Sequence, residues 1–233
     1  MRSHLCWIAI GFIACLTPTS ATAATITLNA IDSGNYDNVF GLHSPTRENY
    51  GAGLCIPGDC AAGDVGAELR NFFAFDLSGI TEQIVGARLI LNTETVYDTG
   101  TFTLWDVTTD VDALRAGGSG LFSVWDDLGS GTLFGSKVIG ATQDNTLLSV
   151  ALNLSAINAL NTATGSLFAI GGDYDGLFGA FFFSGSFDTR QLVLETVPEP
   201  SSVTLFAFGG VLLFLCPTVC RFVTRIAPIR ISR

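Results

Sequence analysis

The run from Val203 to Cys220 contains no charged residue, and Arg221, Arg225, Arg230 and Arg233 follow it with no acid among them. Such a segment is poorly suited to a water-facing surface. About 20 apolar residues, with a lower limit near 17, cross a bilayer core instead. Lys and Arg are held on the cytoplasmic side. The reading is a membrane span over 203–220, a basic tail inside the cell, and everything before Val197 outside. The segment Val197-Pro198-Glu199-Pro200-Ser201-Ser202 precedes the span. Its prolines favour extended backbone and exclude helix there.

The other end carries a second address. Arg2 is followed by the apolar stretch Leu5 to Leu16 and then by Ala21-Thr22-Ala23. A positive start, an apolar run too short for a span and a small-residue cleavage pattern read as a secretory signal peptide over residues 1–24. The domain plan is therefore a signal peptide (1–24), a body (25–196) and a C-terminal segment (197–233).

The motif Val197-Pro198-Glu199-Pro200, set before an uncharged run and an arginine end, resembles the PEP-CTERM sorting signal of exported bacterial proteins. The resemblance implies recognition by an exosortase, a membrane-embedded cysteine transpeptidase-like enzyme, in a Gram-negative host that makes exopolysaccharide. It implies that Pro198, Glu199 and Pro200 are the recognition element. It implies that the helix and Arg221 hold that element at the membrane. Two features depart from the family pattern. Pro217 sits late in the apolar run, and the arginines are spread over a longer tail.

With the ends removed, the body has the length of one domain. Every acid of the chain except Glu199 lies in it, against Arg47, Arg70, Arg88, Arg115, Lys137 and Arg190, and the whole chain carries a net charge of −10. That balance argues against nucleic acid, whose phosphates need Lys and Arg. It also argues against docking of the body on an anionic membrane, and it suits solubility outside the cell. Of six cysteines only Cys55 and Cys60 fall in the body, in Cys55-Ile-Pro-Gly-Asp-Cys60. A Pro-Gly turn can close the pair, and in an oxidising compartment a disulfide is expected. A metal pair is the other reading, with only His43 nearby.

Short runs of β-branched and aromatic residues, punctuated by Gly, Asn and Asp, predict strands. They fall at Thr25–Leu28, Asn71–Leu77, Ala87–Asn92, Thr101–Val107, Thr132–Ile139, Leu147–Leu152, Ser166–Ile170, Phe178–Phe183 and Arg190–Glu195. Two short helices are expected, one capped by Asp110 over Val111–Ala116 and one started by Asn153 or Ser155 and running through Leu160. The expected fold is all-β, a jelly-roll-like antiparallel β-sandwich with short connecting helices. The stretch Asp32–Gly66 and the acidic Trp125-Asp126-Asp127 are expected to be surface loops. The body as a whole is similar to many β-sandwich bodies of PEP-CTERM proteins, and that similarity implies no activity.

Chemistry is thinly represented. A nucleophilic triad needs an imidazole to take the proton. His43, the sole body histidine, reads as a solvated loop residue. Paired carboxylates for glycoside hydrolysis are not singled out by any spacing. Asp173-Tyr174-Asp175-Gly176 places two hard oxygen ligands at alternate positions before a turn, so Asp173 and Asp175 are candidate calcium ligands. Turn-capping aspartates are the other reading. Trp125 and Tyr174, each beside acids, are the candidates for stacking on a sugar ring.

Three functions from different classes follow. The first is a non-enzymatic, exported surface or exopolysaccharide-matrix protein with no cofactor. The second is a carbohydrate-binding module with the same address. The third is an exported polysaccharide hydrolase. The partners expected for the first are the exosortase, the membrane before processing and extracellular polysaccharide.

Overall fold

A computed structural model describes residues 23–46, 49–55, 66–182 and 189–197. The described strands are β1 (Ala24–Asn29), β2 (Asp32–Asp37), β3 (Gly53–Leu54), β4 (Glu68–Asp76), β5 (Gln83–Val96), β6 (Gly100–Asp106), β7 (Leu133–Ile139), β8 (Leu147–Ala151), β9 (Leu167–Tyr174), β10 (Ala180–Phe182) and β11 (Arg190–Val197). The helices are α1 (Val111–Ala116), α2 (Phe122–Asp127) and α3 (Leu154–Thr162). One sheet runs β1-β11-β5-β10, with β8 also paired to β5. The other runs β2-β4-β9-β6-β7, with β3 also paired to β4. Every pairing is antiparallel. The all-β expectation is met.

Strand alternation explains how the sheets meet. Side chains two apart share a face. On β4, Phe73 and Phe75 point into the main core, together with Leu89 and Leu91 of β5, Leu104 of β6, and Leu192 and Leu194 of β11. Residues of both sheets therefore fill one shared core. Phe72, on the other face of β4, joins Tyr36 of β2, Ala169 of β9, Leu114 of α1, and Val124 and Leu128 at α2 in a second cluster. The β2–β7 sheet is thus buried on both faces, by the facing sheet and by two short helices. The longer helix α3 adds Ala156, Ile157 and Leu160 to the main core.

The caps fall where expected. Asp110 Oδ1 accepts from the Ala113 amide at 3.0 Å, and Asn153 Oδ1 accepts from the Ala156 amide at 3.1 Å. Each satisfies one orphan donor of the first turn.

Two expectations are corrected. The stretch Asp32–Gly66 is not a plain surface loop. Its first part is β2, paired from Asp32↔Ala74 to Asp37↔Leu69, and it includes β3. Tyr36 and Tyr50 are fully buried. The residues of β2, Asp-Ser-Gly-Asn-Tyr-Asp, have turn composition, and pairing with β4 overrides it. Gly34 is required there, because a Cβ would collide with the imidazole of His43. The second correction concerns Trp125-Asp126-Asp127, which closes α2 and is not a loop. That helix has no side-chain cap, and it forms because Val124 and Leu128, four apart, bury onto the sheet. Among the described residues no helix is long and apolar enough to cross a membrane. The expected signal peptide, the run 203–220 and Arg221 lie outside the described residues.

Candidate functional site

Val197, the first residue of the candidate sorting motif, is the last residue of β11. Strand β11 lies between β1 and β5. Its last residues pair as Thr196↔Ala24 on one side, and Thr196↔Ile84 and Val197↔Gln83 on the other. Thr196 is fully buried. Its Oγ1 donates to the Ala24 carbonyl at 3.5 Å. Val197 is half-buried. Pro198, Glu199 and Pro200 lie outside the described residues.

The candidate sugar-stacking rings are engaged elsewhere. Trp125 Nε1 donates to the Glu68 carbonyl at 3.0 Å. The Arg70 guanidinium lies 3.6 Å from the centre of the indole. Its Nη1 also donates to the carbonyls of Trp125 at 3.1 Å and Asp126 at 3.3 Å. A cation that close occupies a ring face, and the indole also packs against the outer cluster. Trp125 therefore holds α2 onto β4. Tyr174 is 3% exposed, belongs to the main core and donates its hydroxyl to the Asp98 carbonyl at 2.6 Å. A Cβ on Gly100 would approach its ring at 2.8 Å. Burial first, then Asp98, pushes the Tyr174 pKa above its ordinary value. Neither ring offers a platform, because Arg70 and the outer cluster cover Trp125 and the core buries Tyr174.

The candidate calcium pair is likewise used internally. Asp173 lies 3.9 Å from Arg70, and burial pushes its carboxyl up while Arg70 opposes the shift. Asp175 Oδ1 accepts the Thr101 amide. Among the described residues no group of three or more His, Cys, Asp or Glu side chains could hold a metal ion. The Thr101 amide lies 74 positions away in sequence, so Asp175 ties its stretch to the start of β6 and does not cap its own turn.

His43 is corrected from a solvated loop residue to a buried one, 3% exposed. Its ring lies 5.1 Å from those of both Tyr36 and Phe72, and Nδ1 is 3.2 Å from the Asn35 carbonyl. Its backbone exchanges hydrogen bonds with Gly118, 3.0 Å each way, tying this segment to the end of α1. The Tyr36 hydroxyl donates to the Leu114 carbonyl at 2.7 Å, and its pKa is pushed up to about 12, first by burial and then by Asp32. Cys55 is buried at 2% exposure. Cys60 lies outside the described residues.

Asp127 is the most heavily used acid that sequence reading passed over. Its carboxylate accepts the amides of Thr108 and Thr109 at 2.9 and 2.8 Å and both their hydroxyls at 2.7 Å. Burial pushes its pKa up, but these four bonds outweigh it and hold the carboxyl below its ordinary range. The pair Thr108-Thr109 was the sequence signal, since adjacent hydroxyls near a loop acid suit such bonding. Asp127→Ala should cost about 1–3 kcal/mol, the loss of hydrogen bonds to a charged acceptor. A folded pKa below the unfolded value near 4 gives stability that is present above pH 4 and lost as pH falls through the lowered folded value. Urea titrations at pH 7 and pH 3 check both parts. The variant and parent should differ more at pH 7.

Comparison with known proteins found no matching family model and no matching curated protein.

Proposed function

We propose that this chain is an exported, non-enzymatic protein of the cell surface or the exopolysaccharide matrix, delivered by the sorting signal Val197–Pro200 and its following anchor. The observation that carries the reading is the order of the C-terminal parts: Pro198-Glu199-Pro200, an uncharged run over 203–220, then Arg221 and further arginines. The compact unit Ala23–Val197 supports it, because it ends on Val197, the motif's first residue, and leaves Pro198-Glu199-Pro200 outside it. In this reading the exosortase grips an extended peptide, and Arg221 stops transfer at the cytoplasmic face. The body is the cargo. Its sandwich is jelly-roll-like, since neighbours within each sheet are mostly distant in sequence. A Cys55–Cys60 disulfide closes a short loop of the cargo and adds about 2 kcal/mol. The non-enzymatic reading is supported by four of the described residues, Arg70, Asp127, Asp173 and His43, whose side chains bind or pack against the protein itself.

The test is a chain stopped after Val197. It should be exported and recovered wholly in the soluble fraction, while the full-length chain passes through a membrane-bound precursor. Membrane retention of the shortened chain would contradict the proposal.

A further inference from the structure

We infer that two copies of this chain pair through the open edge of β1, antiparallel about a two-fold axis at Thr27, so that one sheet runs unbroken across both. The inference goes beyond the sorting proposal and does not depend on it.

Among the described residues β1 is bonded on one side only, to β11. Bonded and non-bonded pairs alternate along an antiparallel ladder. Ala30 N–H donates to the Arg190 carbonyl at 2.8 Å, so the even-numbered residues of β1 are the ones that bond β11. Thr25, Thr27 and Asn29 therefore turn their N–H and C=O groups to the open side, and all are exposed. Such a row is a template for another strand, and edges are ordinarily guarded by charge, proline or a bulge. β2 begins and ends on aspartate, and β7 contains Lys137. The Lys137 Nζ also guards β8, donating to the Ser149 carbonyl at 3.0 Å. β1 carries no such device. Ala23–Ile31 has no charge and no proline, and the register of β1 with β11 has no shift.

The occupant follows from symmetry and charge. A two-fold contact must be self-complementary. With the axis at Thr27, that residue meets the partner's Thr27, and Thr25 meets the partner's Asn29. These are bonded pairs, so every outward backbone group of Thr25, Thr27 and Asn29 finds a partner. Between them Ile26 meets the partner's Leu28. Ile26 and Leu28 pack on the main core yet stay half-buried. Non-bonded pairs bring side chains closest, so the contact covers both. The body is acidic, and two copies repel over most of their surface. At this edge the row from Glu195 through Thr25 continues to the partner's Asn29 and the partner's Gln191, so Glu195 meets amides and no second acid.

Single cysteines test the register. Oxidising the purified full-length Thr27→Cys chain should give a covalent dimer, because a bonded pair sets Cα atoms about 5.5 Å apart, within disulfide reach. Thr25→Cys or Asn29→Cys alone should link about tenfold less, since each would lie about 14 Å from its own copy. Mixed together, those two chains should link. The parent, oxidised alongside, accounts for the native cysteines. By sedimentation the parent should be a dimer. Thr27→Lys, which sets like charges opposite each other, should be a monomer. Thr27→Pro removes only an outward N–H, which an edge strand tolerates, and should be a monomer too. A Thr27→Cys chain that does not link, or a Thr25→Cys chain that links as readily by itself, would overturn the inference. So would a monomeric parent or a dimeric Thr27→Lys chain.

Discussion

Replacing Phe73 by alanine is expected to lower the stability of the body by about 3–5 kcal/mol, the range for truncating a buried aromatic. Phe73 is fully buried in the middle of β4. Its ring meets Tyr50 edge-on at 5.4 Å and 77°. The backbone around it is paired on both sides, to Ser33 of β2 and Ile170 of β9. The site cannot collapse easily to fill the space, so the lost transfer energy and the cavity term add. Against a typical total of about 5–15 kcal/mol, such a loss leaves many chains unfolded. Phe122→Ala is the control. That ring is 47% exposed, and the change should stay within about 0.5 kcal/mol. Urea unfolding of the exported body would check both. A Phe73→Ala loss below about 1 kcal/mol would contradict a core shared by the two sheets.

How much of this was legible in the sequence depended on what fixed each element. Alternation along Asn71–Leu77 separates Phe73 and Phe75 from Phe72 and Ala74, and Phe73 and Phe75 do join the main core while Phe72 joins the outer cluster. The Asp110 and Asn153 caps are local hydrogen-bond chemistry, so their helices could be placed from neighbours alone. β2 was hidden because its residues are turn formers. Only β4, more than thirty residues away in sequence, makes them a strand. α2 was hidden because it lacks a capping side chain and depends on Val124 and Leu128 packing on the sheet.

The candidate ligand residues failed for a related reason. An aromatic beside acids can stack on a sugar or serve the fold, and the sequence does not show which way its ring faces. Arg70 and Asp98 settle that for Trp125 and Tyr174. The carboxylates that suggested calcium are engaged within the protein, Asp173 beside Arg70 and Asp175 on the Thr101 amide.

Glu199→Ala is expected to abolish sorting while leaving export and membrane insertion intact. Glu199 is the only charge between Val197 and Ser202, and Pro198 and Pro200 flank it. Proline neighbours favour extended backbone, and in the sorting proposal such a segment presents the carboxylate to the enzyme. A charge-assisted hydrogen bond or ion pair from an enzyme pocket is about twice as strong as a neutral one. Losing it leaves a pocket donor unpaired, which costs about 2–5 kcal/mol in a buried pair, a rate loss of about thirtyfold or more. The apolar run and Arg221 are untouched, so the chain should still insert. Replacing Arg221, Arg225, Arg230 and Arg233 together should do the opposite, weakening orientation and retention.

The most direct measurement is a fractionated immunoblot of parent and Glu199→Ala chains in a host carrying an exosortase. The account predicts a shortened parent form outside the inner membrane and a full-length Glu199→Ala form accumulating within it. If the Glu199→Ala chain is processed and released as fast as the parent, Val197–Pro200 is only the flank of an anchor, and the sorting account is wrong.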